Sequence, residues 1–295
     1  MKAVASFVDQ RQVRRNFARA ASSYDEVAVL QREVGSRMLE RLDYVRIEPR
    51  RILDLGCGTG ASLTALQERY PAALLIGADL STPMLLANRA QRSRLRWLLP
   101  FLRSHRTPLL AADAASLPFR PQSIGLLWSN LMLHWLDDPR AAFCEAYRAL
   151  EVGGLLMFST FGPDTLKELR ASFADGQVHT QRFIDMHDHG DMLVQCGFAD
   201  PVIDAELLTL TYCRIDDLLA DLRKSGSTCA MQARRPGLTG RAVWAEARAA
   251  YARLARDGRL PATMEVVYGH AWKAPPRKTV DGRTIVRFDP QQRGR

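Results

Sequence analysis

The 295-residue chain contains no run of about 18 consecutive apolar residues, the length a membrane-crossing helix needs. Its opening, MKAVASFVDQ, lacks both the apolar stretch and the small-residue cleavage site of a secretory signal, so the expected location is the cytoplasm, with no stable membrane association. Cysteine is scarce and odd in number, five in all, and no C-x-x-C pair occurs. That spacing indicates neither a thiolate zinc site nor a disulfide framework, and a reducing compartment fits. Internal repeats are absent, and so is any DNA- or RNA-binding motif. The formal charge of +9 therefore stands alone as a sign of an acidic partner, and by itself it does not choose among nucleic acid, an anionic membrane and an acidic protein.

What is present is the make-up of a folded globular protein, 47% hydrophobic and 25% charged. Residues 9–46 read as a helix, because Val27, Leu30, Val34, Met38 and Leu42 recur at intervals of three or four, and Pro49 stops it. The first part of this stretch carries Arg11, Arg14, Arg15 and Arg19 and almost no acid, which is also how a mitochondrial transit peptide reads. The unbroken continuation into an amphipathic helix favours a folded segment. From Arg50 onwards, short apolar runs and helical patterns take turns, which predicts an α/β fold: a doubly wound, mostly parallel sheet with helices on both faces. Residues 164–197 look helical, 200–213 and 262–273 look like an antiparallel pair of strands, and 215–225 and 240–257 look like helices. The expected organisation is an N-terminal helical cap over 1–48, a main domain over 49–274 with a helical insertion around 215–258, and a basic, mobile tail over 275–295.

The segment LDLGCGTG places Gly56, Gly58 and Gly60 directly after a strand and before a helix, where glycine permits a sharp turn and close approach of a ligand. Gly56, Gly58 and Ala61 also satisfy the dinucleotide pattern, with Asp79 about 20 residues further on, so the glycines leave a dehydrogenase reading open. Asp54 separates the two readings. A carboxylate at the end of the first strand would oppose a pyrophosphate, yet it suits a ligand carrying an ammonium and a sulfonium, which points to S-adenosylmethionine. Asp79, ending the second strand, is then suited to accept hydrogen bonds from ribose hydroxyls, with Leu80 beside it. Asp113 is suited to the adenine amino group, with the N–H of Ala114. Each acid alone could equally cap a helix or a turn; together they sit at the carboxyl ends of successive strands, where open sheets bind ligands.

In order over residues 50–161, LDLGCGTG, GADLS, DAASLPF, SNLMLHW and EVGG resemble the class I S-adenosylmethionine-dependent methyltransferases. That resemblance implies a seven-stranded sheet with a reversed last hairpin, and it adds Asn130 of SNLM to the cofactor site. Val152 stands where the family usually has proline before Gly153 and Gly154. The runs VRRNFARAASSYDEVAVLQ, STFGPDTLKELR, FIDMH and GFADP are similar to the malonyl-acyl-carrier-protein O-methyltransferases of biotin synthesis. This implies methylation of a free malonyl carboxylate, an acidic acyl carrier protein as partner, no nucleic acid, and Tyr24 closing over the cofactor. GSTCA and LPATMEVVYGHAWK are also similar to methyltransferase-like assembly factors of respiratory complex I, which would direct the same cofactor to an arginine of a protein partner.

Methylating a carboxylate requires alignment and exclusion of water more than a strong base. A cation or hydrogen-bond donor for the second carboxylate oxygen would help. His134, Arg15 and Arg182 are the candidates for that contact, with Arg14 and Arg170 as further possibilities. His179, Asp185, His187, Asp188, His189 and Asp191 crowd together, but His187 and His189 diverge on a helix, so no metal is expected. The acid-free segment from Asn88 to Arg106 mixes six arginines with Trp97, Phe101 and leucines, and it is read as a docking site for an acidic carrier protein.

Overall fold

A computed structural model describes residues 7–89, 107–235 and 237–275. The greater part of the basic segment 88–106 and the tail beyond Pro275 lie outside the described residues, as do the docking and mobility expectations attached to them.

Seven strands form one sheet: β1 (Arg51–Leu55), β2 (Leu74–Asp79), β3 (Leu109–Ala111), β4 (Ile124–Ser129), β5 (Leu150–Phe161), β6 (Ala199–Tyr212) and β7 (Leu260–Trp272). They are ordered β3-β2-β1-β4-β5-β7-β6. The first five run parallel, and β7 inserts antiparallel between β5 and β6. The order reverses between β1 and β4, which opens a crevice at the carboxyl ends of these strands.

Alternation along the strands divides the core in two. Ile52, Leu75, Leu126, Trp128 and Met157 face one layer, while Leu53, Ile76, Leu127, Leu156 and Phe158 face the other. The helices are α1 (Gln10–Ala20), α2 (Tyr24–Val27), α3 (Val29–Arg41), α4 (Ala61–Arg69), α5 (described over 82–89), α6 (Pro139–Ala149), α7 (Lys167–Ser172), α8 (Met186–Gln195), α9 (Ile215–Lys224) and α10 (Arg241–Ala252). Leu30, Val34, Met38 and Leu42, from α3 and the turn after it, enter the first layer with α4, and Ala142, Phe143, Ala146 and Leu193 from α6 and α8 fill the second. Asp138 caps α6 by accepting from the Arg140 N–H, and Pro139 follows at the first helical position, where its missing N–H costs nothing. At the other end, buried Lys273 donates to the Tyr147 and Leu150 carbonyls at 2.7 and 2.8 Å.

Three expectations need correction. The helix expected over 9–46 is three, broken by the turn at 21–23 and by Ala28, whose ψ of 39° leaves the helical range. The breaks let α3 pack on the sheet while α1 packs on Trp135 and Met231, two directions that one straight rod cannot satisfy. The helix expected over 164–197 is only α7 and α8, with 173–185 irregular between them and Asp185 capping the second. Finally, Cys144 of α6 and Cys196, just past α8, are joined by a disulfide across 52 residues. No local spacing announces a pair brought together by helix packing, and a reducing compartment no longer follows from the cysteines.

Because α3 contributes to the same core as the sheet, Met38→Ala should cost about 2–5 kcal/mol of global stability. Urea unfolding followed by two probes, one in α3 and one in the sheet, should show one cooperative transition shared by both. A separate early transition of the N-terminal helices would contradict this.

Candidate functional site

The loop after β1 is tied down by its own amides. Gly56 and Cys57 donate to the Ala78 carbonyl at 2.8 and 3.0 Å, and Gly60 donates to the Cys57 carbonyl at 2.8 Å. Gly58 donates to Asp79 Oδ2 at 2.9 Å. A site for a pyrophosphate needs such amides free to point at the ligand, and here four of them are used within the chain. Gly56 and Gly58 have φ of +79° and +52°, a backbone region that side chains avoid. A Cβ on Gly56 would also fall 2.5 Å from Met132 Cγ, so both the turn and the packing demand glycine there.

Asp54, at the end of β1, is 2% exposed, and its Oδ2 has no hydrogen-bond partner. Burial, followed by the negative charge of Asp79, pushes its carboxyl up to about 8. An orphaned buried carboxylate oxygen of this kind is costly without a donor, and a ligand's ammonium group is a donor that would relieve it. Asp54 lines a hollow of about 40 Å³ with Tyr24, Gly56, Gly58 and Asn130, and the last four residues also line a larger cavity of about 260 Å³. Asp79 lines the larger cavity. Its Oδ1 accepts from the Ser81 N–H at 2.7 Å, and with the Gly58 contact this fixes the carboxylate's orientation. Burial raises its carboxyl, and the Ser81, Gly58 and Leu80 amides oppose that.

Leu80, Asp113, Ala114, Asn130 and Tyr24 line the same cavity. Asp113 accepts from the Ala115 N–H at 2.9 Å, which holds it at the turn after β3. Asn130 donates to the Gln31 carbonyl and accepts from the Ser159 hydroxyl, both at 2.8 Å, and so links the end of β4 to α3 and β5. Tyr24 is held over the cavity because its neighbour Asp25 accepts from the Thr59 hydroxyl at 2.6 Å, stitching α2 to the glycine loop. Gly60 lies outside the cavity lining; with φ of +89° it starts α4 against the side chain of Asn88.

A second cavity, of about 500 Å³, adjoins the first, and His134, Trp135, Phe161, Gln31 and Ser227 line both. Burial depresses His134 to about 3, so the ring is neutral throughout the physiological range. Its Nδ1 lies 3.4 Å from the Thr160 hydroxyl. With that hydroxyl as donor, the ring keeps its proton on Nε2 and can offer a hydrogen bond, though not a charge. Of the arginine candidates, Arg14 lines the first cavity, whereas Arg15 is exposed on the outer side of α1. Arg182 lies over the Phe7 ring at 4.8 Å, and Arg170 donates to the Thr165 and Pro163 carbonyls; both lie outside the two linings. The acid and histidine cluster disperses: Asp175 pairs with His179, Asp185 caps α8 and pairs with His187, and His189 is buried near Phe143 and Phe158. Among the described residues, no three His, Cys, Asp or Glu side chains are grouped to hold a metal.

Residues the sequence did not point to include Gln31, Met132, Trp135, Phe161 and Ser227. Met132 and Trp135 sit in SNLMLHW, where proximity to Asn130 was an available signal; Ser227 arrives from the loop after α9, where none existed.

A methyltransferase domain family matches residues 53–158. The chain is 49% identical over 282 residues to the malonyl-[acyl-carrier protein] O-methyltransferase of Gallionella capsiferriformans, covering 95% of this chain and 96% of that one. It is also 49% identical over 295 residues to that of Laribacter hongkongensis, covering 97% and 98%. The chain belongs to the malonyl-[acyl-carrier protein] O-methyltransferase family. These relatives do not favour the likeness to complex I assembly factors. The fold is shared with the YcgJ protein of Bacillus subtilis, at a TM-score of 0.58 and 15% identity over 82% of this chain and 99% of that one. It is shared as well with Haemonchus contortus phosphoethanolamine N-methyltransferase 2, solved with S-adenosyl-L-methionine, at a TM-score of 0.53 and 16% identity over 86% and 57%. In this malonyl-[acyl-carrier protein] O-methyltransferase family member, then, the candidate site lies at the crevice between β1 and β4.

The raised carboxyl of Asp54 has a thermodynamic signature. The folded protein binds a proton more tightly there than the unfolded chain does, so the associated stability is present below the ordinary carboxylate pKa and is lost as pH rises towards about 8. In ligand-free protein, melting temperatures measured from pH 4 to 8 should carry this decline, and Asp54→Asn should flatten it. An unchanged pH profile in the variant would contradict the assignment.

Proposed function

We propose that the protein transfers the methyl group of S-adenosylmethionine to the free carboxylate of a malonyl thioester on acyl carrier protein, giving the methyl ester and S-adenosylhomocysteine. The single observation that carries the cofactor part is Asp54: a buried carboxylate with an unpartnered oxygen beside a glycine loop whose amides are already spent. Such a site repels phosphate and suits an amino acid's ammonium group. The family relationship supports the substrate part. The methyl ester would then serve as a primer for chain elongation towards the pimeloyl moiety of biotin. The proposed compartment is the cytoplasm; the arginine-rich stretch is folded into the domain as α1.

In this reading Asp54 receives the ammonium group, Asp79 accepts from the ribose hydroxyls, and Asp113 with the Ala114 N–H meets the adenine. Leu80, Gly56, Gly58 and Asn130 shape the walls, Gly60 sets the loop, and Tyr24 covers the opening. When bound, the cofactor supplies an activated methyl group on a positively charged sulfur. The substrate carboxylate is already a nucleophile, so the residues of this chain need only hold it in line and keep water out. Arg14 is suited to the carboxylate's charge from one wall, and His134 Nε2, neutral and buried, to one of its oxygens. Trp135 and Phe161 line the junction of the two cavities with apolar surface, which favours dehydration of the reacting carboxylate.

The test is purified protein with methyl-labelled S-adenosylmethionine, offered malonyl-acyl carrier protein, malonyl-CoA, bulk RNA and a protein extract. Base-labile label on the malonyl thioester is expected; label on RNA or on protein arginine instead would sink the proposal. Asp79→Ala should weaken S-adenosylmethionine by about 1–3 kcal/mol, because the ribose hydroxyls lose their acceptor in a partly dry site. Calorimetry on the folded variant checks this. Binding should also release protons near pH 7, since the ammonium group requires Asp54 ionised although its carboxyl lies near 8 in the free protein. Heats measured in buffers of different ionisation enthalpy would reveal that release, and identical heats would contradict the pairing.

A further inference from the structure

The helix α1 has two faces of opposite character. Val13, Asn16 and Ala20 are buried, with Phe17 set edge-on against Trp135 at 5.2 Å. The other side carries Arg11, Arg14, Arg15 and Arg19, all exposed, with no acid anywhere in the helix. At 100° per residue, positions 11, 15 and 19 form one stripe, and 14 lies just beside it.

The acids nearest this helix are already engaged. Asp9 caps α1 and pairs with Arg234, Asp25 accepts from Thr59, Asp137 accepts from the Phe7 and Val8 amides, and Glu26 pairs with Lys224. Among the described residues, Arg11, Arg15 and Arg19 enter no ion pair. The stripe therefore presents to solvent positive charge that no ion pair holds.

Its position matters as much as its charge. Arg14 lines the first cavity from α1. The C-terminal end of α9 packs beside α1: the Ser23 hydroxyl donates to the Lys224 carbonyl at 3.0 Å, and a Cβ at Gly226 would meet Phe17 and Ala20 at 3.1 and 3.2 Å. From that end, exposed Arg223 lines the second cavity, and Ser227 lines both. One basic surface thus borders both cavities.

We propose that the arginine stripe of α1, continued by Arg223, is the surface on which an acidic carrier protein docks, so that a thioester on its flexible arm enters the cavities between α1 and the end of α9. This rests on the malonyl-thioester reading and adds to it the surface that recognises the carrier. An anionic membrane is the less suitable occupant, because the stripe has no exposed apolar residue interleaved with its arginines, as an interfacial helix requires. Exposed charges of this kind act chiefly on the rate of encounter, and salt weakens them.

The test compares two substrates that share the reacting group: malonyl-acyl carrier protein, and malonyl-pantetheine, which lacks the carrier. The double variant Arg11→Glu with Arg19→Glu spares Arg14 and the cavity linings. A control of equal charge change, Arg46→Glu with Arg50→Glu, lies at the amino end of β1, the edge of the sheet away from the crevice. At low salt the stripe variant should lose roughly tenfold or more in kcat/KM on the carrier-bound substrate, as steering effects do. The loss should shrink as salt rises, while malonyl-pantetheine and S-adenosylmethionine affinity stay unchanged. Equal losses on both substrates, no loss on either, or the same loss in the control pair would overturn the docking surface. Methylation of neither thioester by the wild-type protein would instead overturn the underlying reading, and the docking proposal with it. A gain of binding to vesicles containing anionic lipid, in wild type but not in the stripe variant, would assign the stripe to membranes and count against the carrier.

Discussion

Asp54 sets the terms for everything around it. It ends the central strand of the parallel sheet, packed on both faces, so its carboxylate has almost no water and, on Oδ2, no partner. Moving it would require breaking the pairing of β1 with β2 and β4. The cost of that carboxylate is therefore built into the fold, and it is recovered only when a positively charged group sits beside it. The crossover of chain connections at this point provides the space, since the helices following β1 and β4 leave in opposite directions.

The glycine loop complements this arrangement in a way its motif alone does not convey. In a phosphate-binding loop the amides are aimed at the ligand; here they are turned back onto Ala78, Cys57 and Asp79. The same hydrogen bonds that remove an anion site orient Asp79 towards the cavity. Two carboxylates then line adjoining hollows, and the charge of Asp79 adds to the cost of ionising Asp54, a field that favours a cationic ligand over an anionic one. The N-terminal helices complete the enclosure. Their hold comes from a few polar stitches, Asp25 to Thr59, Asn130 to Gln31 and Ser23 to Lys224, over an apolar footing in which α3 belongs to the core of the sheet.

Much of this was legible beforehand because it depends on near neighbours in sequence. Period-two and period-three-to-four patterns identified the strands and most helices, and the order of LDLGCGTG, GADLS and DAASLPF located the three acids at strand ends. Each of those assignments concerns residues whose role is decided within a single strand-loop-helix unit. The misreadings arose where distance along the chain was large. The long helices expected over 9–46 and 164–197 have continuous local preference for helix, but packing in two directions breaks them. The Cys144–Cys196 bond joins residues 52 apart, and no spacing rule covers it.

The substrate side divides along the same line. Sequence alone determined that arginines are abundant near the N-terminus and that His134 follows the fourth strand, because composition and order are local properties. Only the tertiary structure decided that Arg14, though exposed, borders the first cavity while Arg11, Arg15 and Arg19 lie outside its lining, since that depends on which face of α1 meets Trp135 and the end of α9. It decided too that His134 is neutral, because burial is set by Phe161, Trp135 and Phe183 closing around the ring from three separate segments. Charge and hydrogen-bonding capacity are written in the residue type; protonation state and direction are set by the surroundings, and those are assembled only when distant parts of the chain meet.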